Sequence, residues 1–526
     1  MKKLTLLLSL VLCTILGACG EKEEPVAPAG TIDFTVKADG AKVTLEWTAD
    51  GKAYDIWRAY DAVVFEKVAE GVKESPYVET LDVADNTEVT YRMVEKGGYP
   101  YSQEVKMKEQ SVRIGLMTDD ELLDLVQAAT LKYFYDFAEP NSKMARERNA
   151  DGDVVTTGGT GFGIMALIAG AERGFITRDQ AYGHIRTITD FLMRVERFHG
   201  VYAHWYYGSN GTVKPFSQKD DGGDVIETAF LMQGLLTAKE YFGNGSAEEK
   251  KLADDIEEIW KGVEWSFYTQ GKNCLTWHWS KNYGFEMNLD IRGWNEGLIA
   301  YVLAAASPTY PITKDVYVEG FTSNGGIKNG RTYYDIVLPL GSDGEKGGPL
   351  FFCHYSFLGL DPRGLKDHVC NDYFEQNKAH TLINRAYCID NPKNHVGYSE
   401  NFWGLTASDC PIAGYIAHAP GNNDNGTVTP TAALSSMPYA PEECMAVLKY
   451  LYRDLGDIAF GEYGFYDAIN LGANDKVVES YLAIDQGPIV AMIENYRSQL
   501  LWNLFMQNED VQRGLKLLGF TSPYIH

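Results

Sequence analysis

The chain has 526 residues with a formal net charge of −25, and it is 45% apolar, 23% charged and 13% aromatic. That balance excludes a disordered chain, a collagen-like chain and a coiled coil, and at roughly 150 residues per domain it leaves room for two to four domains. So acidic a surface repels nucleic-acid phosphate and anionic lipid, so a neutral partner is expected and no nucleic acid.

Residues 1–18 read as a leader. Lys2 and Lys3 precede a short apolar run from Leu4 to Leu16, followed by Gly17, Ala18 and Cys19. The run is too short to span a bilayer comfortably. The Leu-Gly-Ala-Cys ending resembles a bacterial lipobox, which implies a lipidated Cys19, a secreted lipoprotein, and a periplasmic or outer-membrane location. The membrane is then met only through that N-terminal lipid. A plain cleaved signal with an incidental cysteine is the alternative. Residues 19–29 form an acidic, Pro-containing tether. Of the eight cysteines, six lie beyond Cys19 and none is spaced C-x-x-C, so neither a zinc site nor a redox motif is expected. The compartment permits one or two disulfides.

From 30 to 110 the pattern alternates with period two. The runs beginning at Thr31, Val43, Tyr54 and Val89 are separated by Gly, Asp and Asn turns, which predicts a small β-sandwich of immunoglobulin or fibronectin character, with Trp47 and Tyr91 in its core. No catalytic cluster falls here, and a spacer or docking role suits it. From 111 to 526 the pattern is helical. Helices are expected at 119–137, opened by the capping box Thr118-Asp-Asp-Glu, and near 161–173, 178–197, 224–242, 247–268, 293–306, 371–387, 441–454 and 488–506. Several are apolar all round, including Phe162–Ala171, Ala229–Leu236 and Leu298–Ala306. Inner helices of a closed ring of helical hairpins have that composition, and amphipathic outer helices alternate with them.

Acidic and glycine-rich runs stand immediately before the apolar helices: Thr156–Gly161, Lys219–Asp224, Asp290–Glu296 and Ala483–Pro488. Parallel inner helices would bring these runs to one rim, where Asp220, Asp224, Glu296 and Asp485 could converge with aromatic rings. Sugar cleavage needs such a combination of acid, base and stacking surfaces. Each residue also has a local alternative. Asp224 with Glu227 reads as a capping box, Asp220 as a turn residue, and Asp485 as a residue at the start of a helix. On the expected helix 293–306, Glu296 shares a face with Ile299, Ala300 and Leu303. Burial there would raise its pKa and suit a general acid, whereas the helix dipole pulls the other way and a salt bridge to Arg292 is the structural alternative. His204, His278 and His354 lie among aromatics and read as pocket walls or satisfied core groups; none has metal-ligand spacing, and no metal or cofactor is expected. The Gly158–Gly163 run lacks the frame of a dinucleotide fingerprint, and no Gly-x-Ser-x-Gly elbow occurs.

These runs, together with Trp403–Asp409, Ala440–Glu442, Tyr463–Asn470 and Ile484–Arg497, occur in order from about Thr118 to Phe520. They resemble the family once labelled as glucoamylases, now glycoside hydrolase family 144. The resemblance implies an all-α (α/α)6 barrel and inverting hydrolysis of β-1,2-glucan or its oligosaccharides. It carries catalytic roles to Glu296, Asp220, Asp224 and Asp485. Glu296 is the expected acid; the base is sought in Asp220 and Asp224 first and Asp485 next. Trp294, His204, Trp205, His354, Tyr355, Glu400, Trp403 and Gln486 are expected to bind substrate. The sandwich-plus-barrel layout resembles the exo-type members that release sophorose, for which an insert at 307–349, or the sandwich, would block one side of the pocket. Endo-type attack, a different glucosidase on the same fold, a non-catalytic glycan-binding lipoprotein and a polysaccharide lyase remain as alternatives, the last served poorly by an acidic rim.

Overall fold

The computed structural model describes residues 30–60, 62–83, 87–101 and 107–525. The leader, Cys19 and the tether lie outside the described residues. The chain divides into two compact units that meet at Leu122 and Leu123.

Among the described residues the first unit holds seven strands: β1 (Phe34–Asp39), β2 (Lys42–Trp47), β3 (Tyr54–Ala59), β4 (Glu66–Val72), β5 (Tyr77–Thr80), β6 (Glu88–Glu95) and β7 (Glu109–Arg113). They form two antiparallel sheets, β1-β2-β5 and β4-β3-β6-β7. Alternate side chains of both sheets, among them Val43, Leu45, Trp47, Ile56, Tyr91 and Met93, fill a single core. β7 pairs with β6 from Glu109 to Arg113, so the last strand crosses position 110, where the alternation had suggested the unit would end.

The second unit is helical: α1 (Asp119–Tyr135), α2 (Thr157–Glu172), α3 (Arg178–Leu192), α4 (Val225–Phe242), α5 (Ala247–Lys261), α6 (Leu298–Ala306), α7 (Tyr373–Asp390), α8 (Pro430–Leu434), α9 (Pro441–Arg453), α10 (Gly456–Ala459), α11 (Ala483–Arg497), α12 (Leu500–Gln507) and α13 (Glu509–Leu518). Caps set several boundaries. Thr118 and Glu121 bond reciprocally at α1, and Thr177 and Ser246 close capping boxes at α3 and α5. The expected helix 488–506 is two helices. The first begins at Ala483, five residues before Pro488, so the proline lies inside the helix and leaves the Ile484 carbonyl without its i+4 donor. It ends before Gln499, whose φ of 64° turns the chain into α12. The expected helix 293–306 starts only at Leu298. Gly293, at φ 93°, and the Asn295 side chain, which accepts from the Gly297 N–H at 2.9 Å, hold the preceding residues in a turn.

The apolar helices pack without room for side chains between them. A Cβ on Gly161 of α2 would stand 2.2 Å from the Phe230 carbonyl oxygen of α4, and one on Gly234 would stand 2.1 Å from the Gly161 oxygen. Gly487 of α11 meets Phe162 in the same way, at 2.4 Å. All nine residues of α6 are buried.

Short ribbons, which the helical periodicity did not signal, join the starts of these helices: β8 (Val154–Thr156), β9 (Trp205–Tyr207), β10 (Val213–Lys214), β11 (Gly223–Asp224) and β12 (His278–Trp279). Their pairings run in series, from Leu482 to Arg148, Arg146 to Val155, Thr156 to Trp205, Ala203 to Gly223, Asp224 to His278, and Thr276 to Asp290. The segments leading into α11, α2, α4 and α6 are thereby stitched into one hydrogen-bonded rim. The six cysteines beyond Cys19 are all buried and free. Among the described residues no helix is long and apolar enough to cross a membrane.

A methyl group at Gly161 must displace backbone, so Gly161→Ala should destabilise the helical unit by about 1–3 kcal/mol. The denaturant midpoint measures this, and a midpoint equal to that of the unsubstituted protein would show slack in the α2–α4 crossing.

Candidate active site

The rim gathers carboxylates in two groups. The first surrounds Asp224, which stands just before α4. Its Oδ1 accepts from the N–H groups of Ile226 and Glu227 at 3.0 Å each and from the Trp277 indole at 3.0 Å. Its Oδ2 accepts from His204 Nδ1 at 3.2 Å. Asp224 is therefore the expected cap, but the box is not reciprocal. Glu227 turns away and accepts from the Gly158 N–H at 2.6 Å, with His204 Nε2 3.8 Å from its other oxygen. Asp220 sits 3.3 Å from His278 Nε2.

Burial raises Asp220 to about 7, with the charge of Asp224 adding to it. It likewise raises Glu227 to about 7. Burial alone would discharge His204, but Glu227 and Asp224 outweigh it and hold the imidazolium up to about 10. Asp224 is buried too, yet the His204 hydrogen bond and the neighbouring histidines keep it below the ordinary carboxylate range. His278 is lowered by its burial despite Asp224. The centre thus reads as an ionised Asp224 and a charged His204 flanked by two carboxyls that titrate near neutrality. One donor atom each from His204, Asp220 and Asp224 lies within 4.8 Å of the others, a spacing a cation could use; His204 pairs with Asp224, and Asp220 with His278.

Glu296 lies in the turn before α6 rather than on the helix, so it has no apolar helical stripe around it. Its carbonyl accepts from Ser356 at 2.7 Å. Arg292 is occupied by Asp290 and the Glu319 carbonyl, not by Glu296. The side chain keeps some solvent contact, but desolvation lifts it to about 7 and the charge of Asp224 pushes the same way.

The second group surrounds Asp485 in the first turn of α11. Its Oδ1 accepts from the Tyr355 hydroxyl at 3.0 Å, and it contacts Asp467. Tyr355 and Ser356 are neighbours in one short turn, so this turn ties Asp485 to the Glu296 loop. Phe162 and Phe230 pack on Tyr355, with ring centroids 5.2 and 5.5 Å away, and join it to α2 and α4.

The other expected residues fall in different places. Trp205 lies beside His204 at 5.0 Å, with Phe216 4.8 Å away and Lys214 over its ring. Trp294 is nearly buried against Phe357 and Tyr373. Gln486 is buried and bonded to the Phe465 carbonyl. His354 is a satisfied core group bonded to Ser436 at 2.8 Å. Trp403 has 0% exposure and offers no face to a sugar. Glu400 is exposed in the loop after α7, and among the described residues it enters none of the hydrogen bonds of either group. Sequence reasoning missed Trp277, Phe216 and Asp467, and it assigned Glu227 to a cap. Trp277 and His278 were visible as an aromatic–histidine pair; Asp467 stood inside the Tyr463–Asn470 motif without a role.

A family model described as "Putative glucoamylase" matches residues 288–509. The chain is 42% identical to an exo beta-1,2-glucooligosaccharide sophorohydrolase (non-reducing end) of Parabacteroides distasonis, over 91% of this chain and 69% of that one. It is similar to the endo-beta-1,2-glucanase of Chitinophaga pinensis, solved with sophorotriose and glucose, with 52% identity, a TM-score of 0.76, and coverage of 78% of this chain and 100% of that one. It is also similar to the structure of a beta-1,2-glucanase from Parabacteroides distasonis, with 39% identity, a TM-score of 0.79, and coverage of 94% and 74%.

Proposed function

We propose a mode of attack and residue roles for this chain, which belongs to glycoside hydrolase family 144, the β-1,2-glucan-active hydrolases. The chain hydrolyses β-1,2-glucosidic bonds and works from the chain end. The observation that carries the exo reading is the extent of likeness. The sophorohydrolase aligns over 91% of this chain, more than the helical unit alone can supply. The endo reading has the higher identity, 52%, in its favour. Residues 307–349 supply the wall that exo action requires. Their hairpin, β13 (Lys328–Tyr333) and β14 (Ile336–Leu340), leads into Gly341, where a Cβ would stand 3.4 Å from Trp294.

In the reaction Glu296 protonates the departing glycosidic oxygen as the bond to the anomeric carbon breaks. A water attacks that carbon from the opposite face and yields its proton to a carboxylate, with inversion. Both Asp224 oxygens already accept hydrogen bonds, which favours Asp220 as the base of that pair; Asp485 is the other candidate. His204, Trp205 and Phe216 form the stacking surface. The helical unit is read as an (α/α)6 barrel, with buried α2, α4, α6 and α11 inside and amphipathic α3, α5, α9 and α13 outside. The sandwich is read as immunoglobulin-like, and the chain as a lipoprotein anchored through Cys19 in the periplasm or outer membrane.

Incubation with linear β-1,2-glucan should release sophorose alone, with the α-anomer formed first by NMR; a ladder of sizes would establish endo attack, and a β-anomer would refute inversion. Glu296→Gln should fold normally and lose about 10²–10⁴ in kcat. Glu296 acts when protonated and the base when ionised, and Glu296 and Asp220 both titrate at about 7. The profile of kcat/KM should therefore rise as pH approaches about 7 and fall above it, and a flat profile above about 7 would remove Glu296 from the acid role. Cys19→Ala should move the protein from the membrane fraction to the soluble one, and unchanged fractionation would refute the lipid anchor.

A further inference from the structure

Asp467 stands outside every role assigned above, yet it is as buried as the catalytic candidates, with 2% exposure against 1% for Asp485. It sits in the loop before Ala468, with its own N–H bonded to the Ser480 carbonyl at 2.9 Å. Its Oδ2 accepts from the backbone N–H of Asp409 at 2.5 Å. Asp409 is itself fixed by the fork of Arg148, at 2.9 and 3.2 Å, and by the Ser480 hydroxyl at 2.8 Å. Asp467 is thus pinned by three segments distant in sequence.

The carboxyls of Asp467 and Asp485 are in hydrogen-bonding contact. On each, one buried oxygen finds no N–H or O–H donor among the described residues: Oδ1 of Asp467 and Oδ2 of Asp485. Buried oxygens without donors are rare and costly. Two carboxylates in contact within a low-dielectric interior cannot both be ionised. One proton placed between the two orphan oxygens removes both difficulties. The surroundings permit this. The groups facing the pair are the Tyr355 hydroxyl on Asp485, the Asp409 carboxylate with its Arg148 partner, Glu147 beside Arg148, and Tyr415. Arg148 acts on Asp467, but its charge is shared with Asp409 and Glu147, and burial outweighs it. Burial accordingly pushes Asp467 up to about 7 and Asp485 well above its ordinary range.

We propose that Asp467 is a positioning residue that shares a single proton with Asp485, so that the two carboxyls act as one monoanionic unit at the start of α11. The proton rests on Asp485, and Asp467 is left as the anion, which accepts from the Asp409 N–H on Oδ2 and from the Asp485 carboxyl on Oδ1. Asp485 is then held in one rotamer between the Tyr355 hydroxyl and Asp467. This deepens the reading of the rim as a glycosidase centre and rests on it. The two macroscopic titrations belong to the pair, not to either residue.

The test is Asp467→Asn, which keeps the shape and removes the shareable proton. At about pH 9 Glu296, Asp220 and Glu227 have lost their protons, so a carboxylic-acid C=O stretch in the infrared spectrum of the whole protein reports the pair alone. That band should be present in the unsubstituted protein and absent from Asp467→Asn. It should be absent from Asp485→Asn as well, so either variant serves if the other fails to fold. On β-1,2-glucan, Asp467→Asn should lower kcat by about tenfold with KM within about twofold. A band that persists in both variants, or a kcat equal to that of the unsubstituted protein, overturns the proposal. A protein that shows the band and its loss but cleaves no β-1,2-glucan leaves the pair intact and refutes the functional reading instead.

Discussion

The active rim depends on keeping Asp224 ionised while it is almost wholly removed from water. A buried carboxylate is tolerated only when its lone pairs are filled. Asp224 fills them with two helix N–H groups, the Trp277 indole and His204. Each contact has a further consequence. The helix contacts start α4. The indole contact draws the 277–278 ribbon onto the rim, where His278 meets Asp220. The His204 contact fixes a positive charge among acids, and that charge makes the neighbouring Glu227 tolerable. Without an ionised Asp224, the push it exerts on Glu296 and Asp220 would also be lost.

Crowding of acids is a problem for folding as well as a means of catalysis. Asp220, Glu227, Glu296 and Asp467 are all lifted to about 7, so desolvation has brought them from their ordinary values to neutrality. Their raised values mean that the folded state holds protons which the unfolded chain has already released. The stability these protons represent is present below the ordinary carboxylate range and is lost as pH rises through about 7. The glycine contacts of α2 with α4 and α11 are what force this closeness, since a wider spacing would admit water and relax the pKa values. Tight helix packing and a reactive site therefore have the same origin.

The two acid groups are linked by one short turn, in which Tyr355 holds Asp485 and Ser356 holds the Glu296 loop. A glycosidase needs its acid and base held at a set separation across a sugar. The spacing between Glu296 and Asp485 is set by Tyr355 and Ser356, backed by Phe162 and Phe230. The fold thus supplies spacing through packed aromatics and backbone bonds rather than through loops free to adjust.

The sequence by itself determined an alternating segment followed by a helical one, most helix positions and the buried character of the apolar helices. These depend on local periodicity and on ordered motifs, which composition records directly. It misplaced the start of α6, because a positive φ at Gly293 and the Asn295 side chain override an apolar run that would continue the helix. It merged α11 with α12, because a single left-handed residue, Gln499, breaks no pattern of hydrophobicity. Only the tertiary structure decided that Glu227 serves His204 and Gly158 instead of its own helix, and that Trp403 and His354 belong to the core. Only it brought Asp467, from a segment without helical or acidic patterning, against Asp485. Such pairings arise between elements far apart in the chain, and no local spacing encodes which buried carboxyl will meet which.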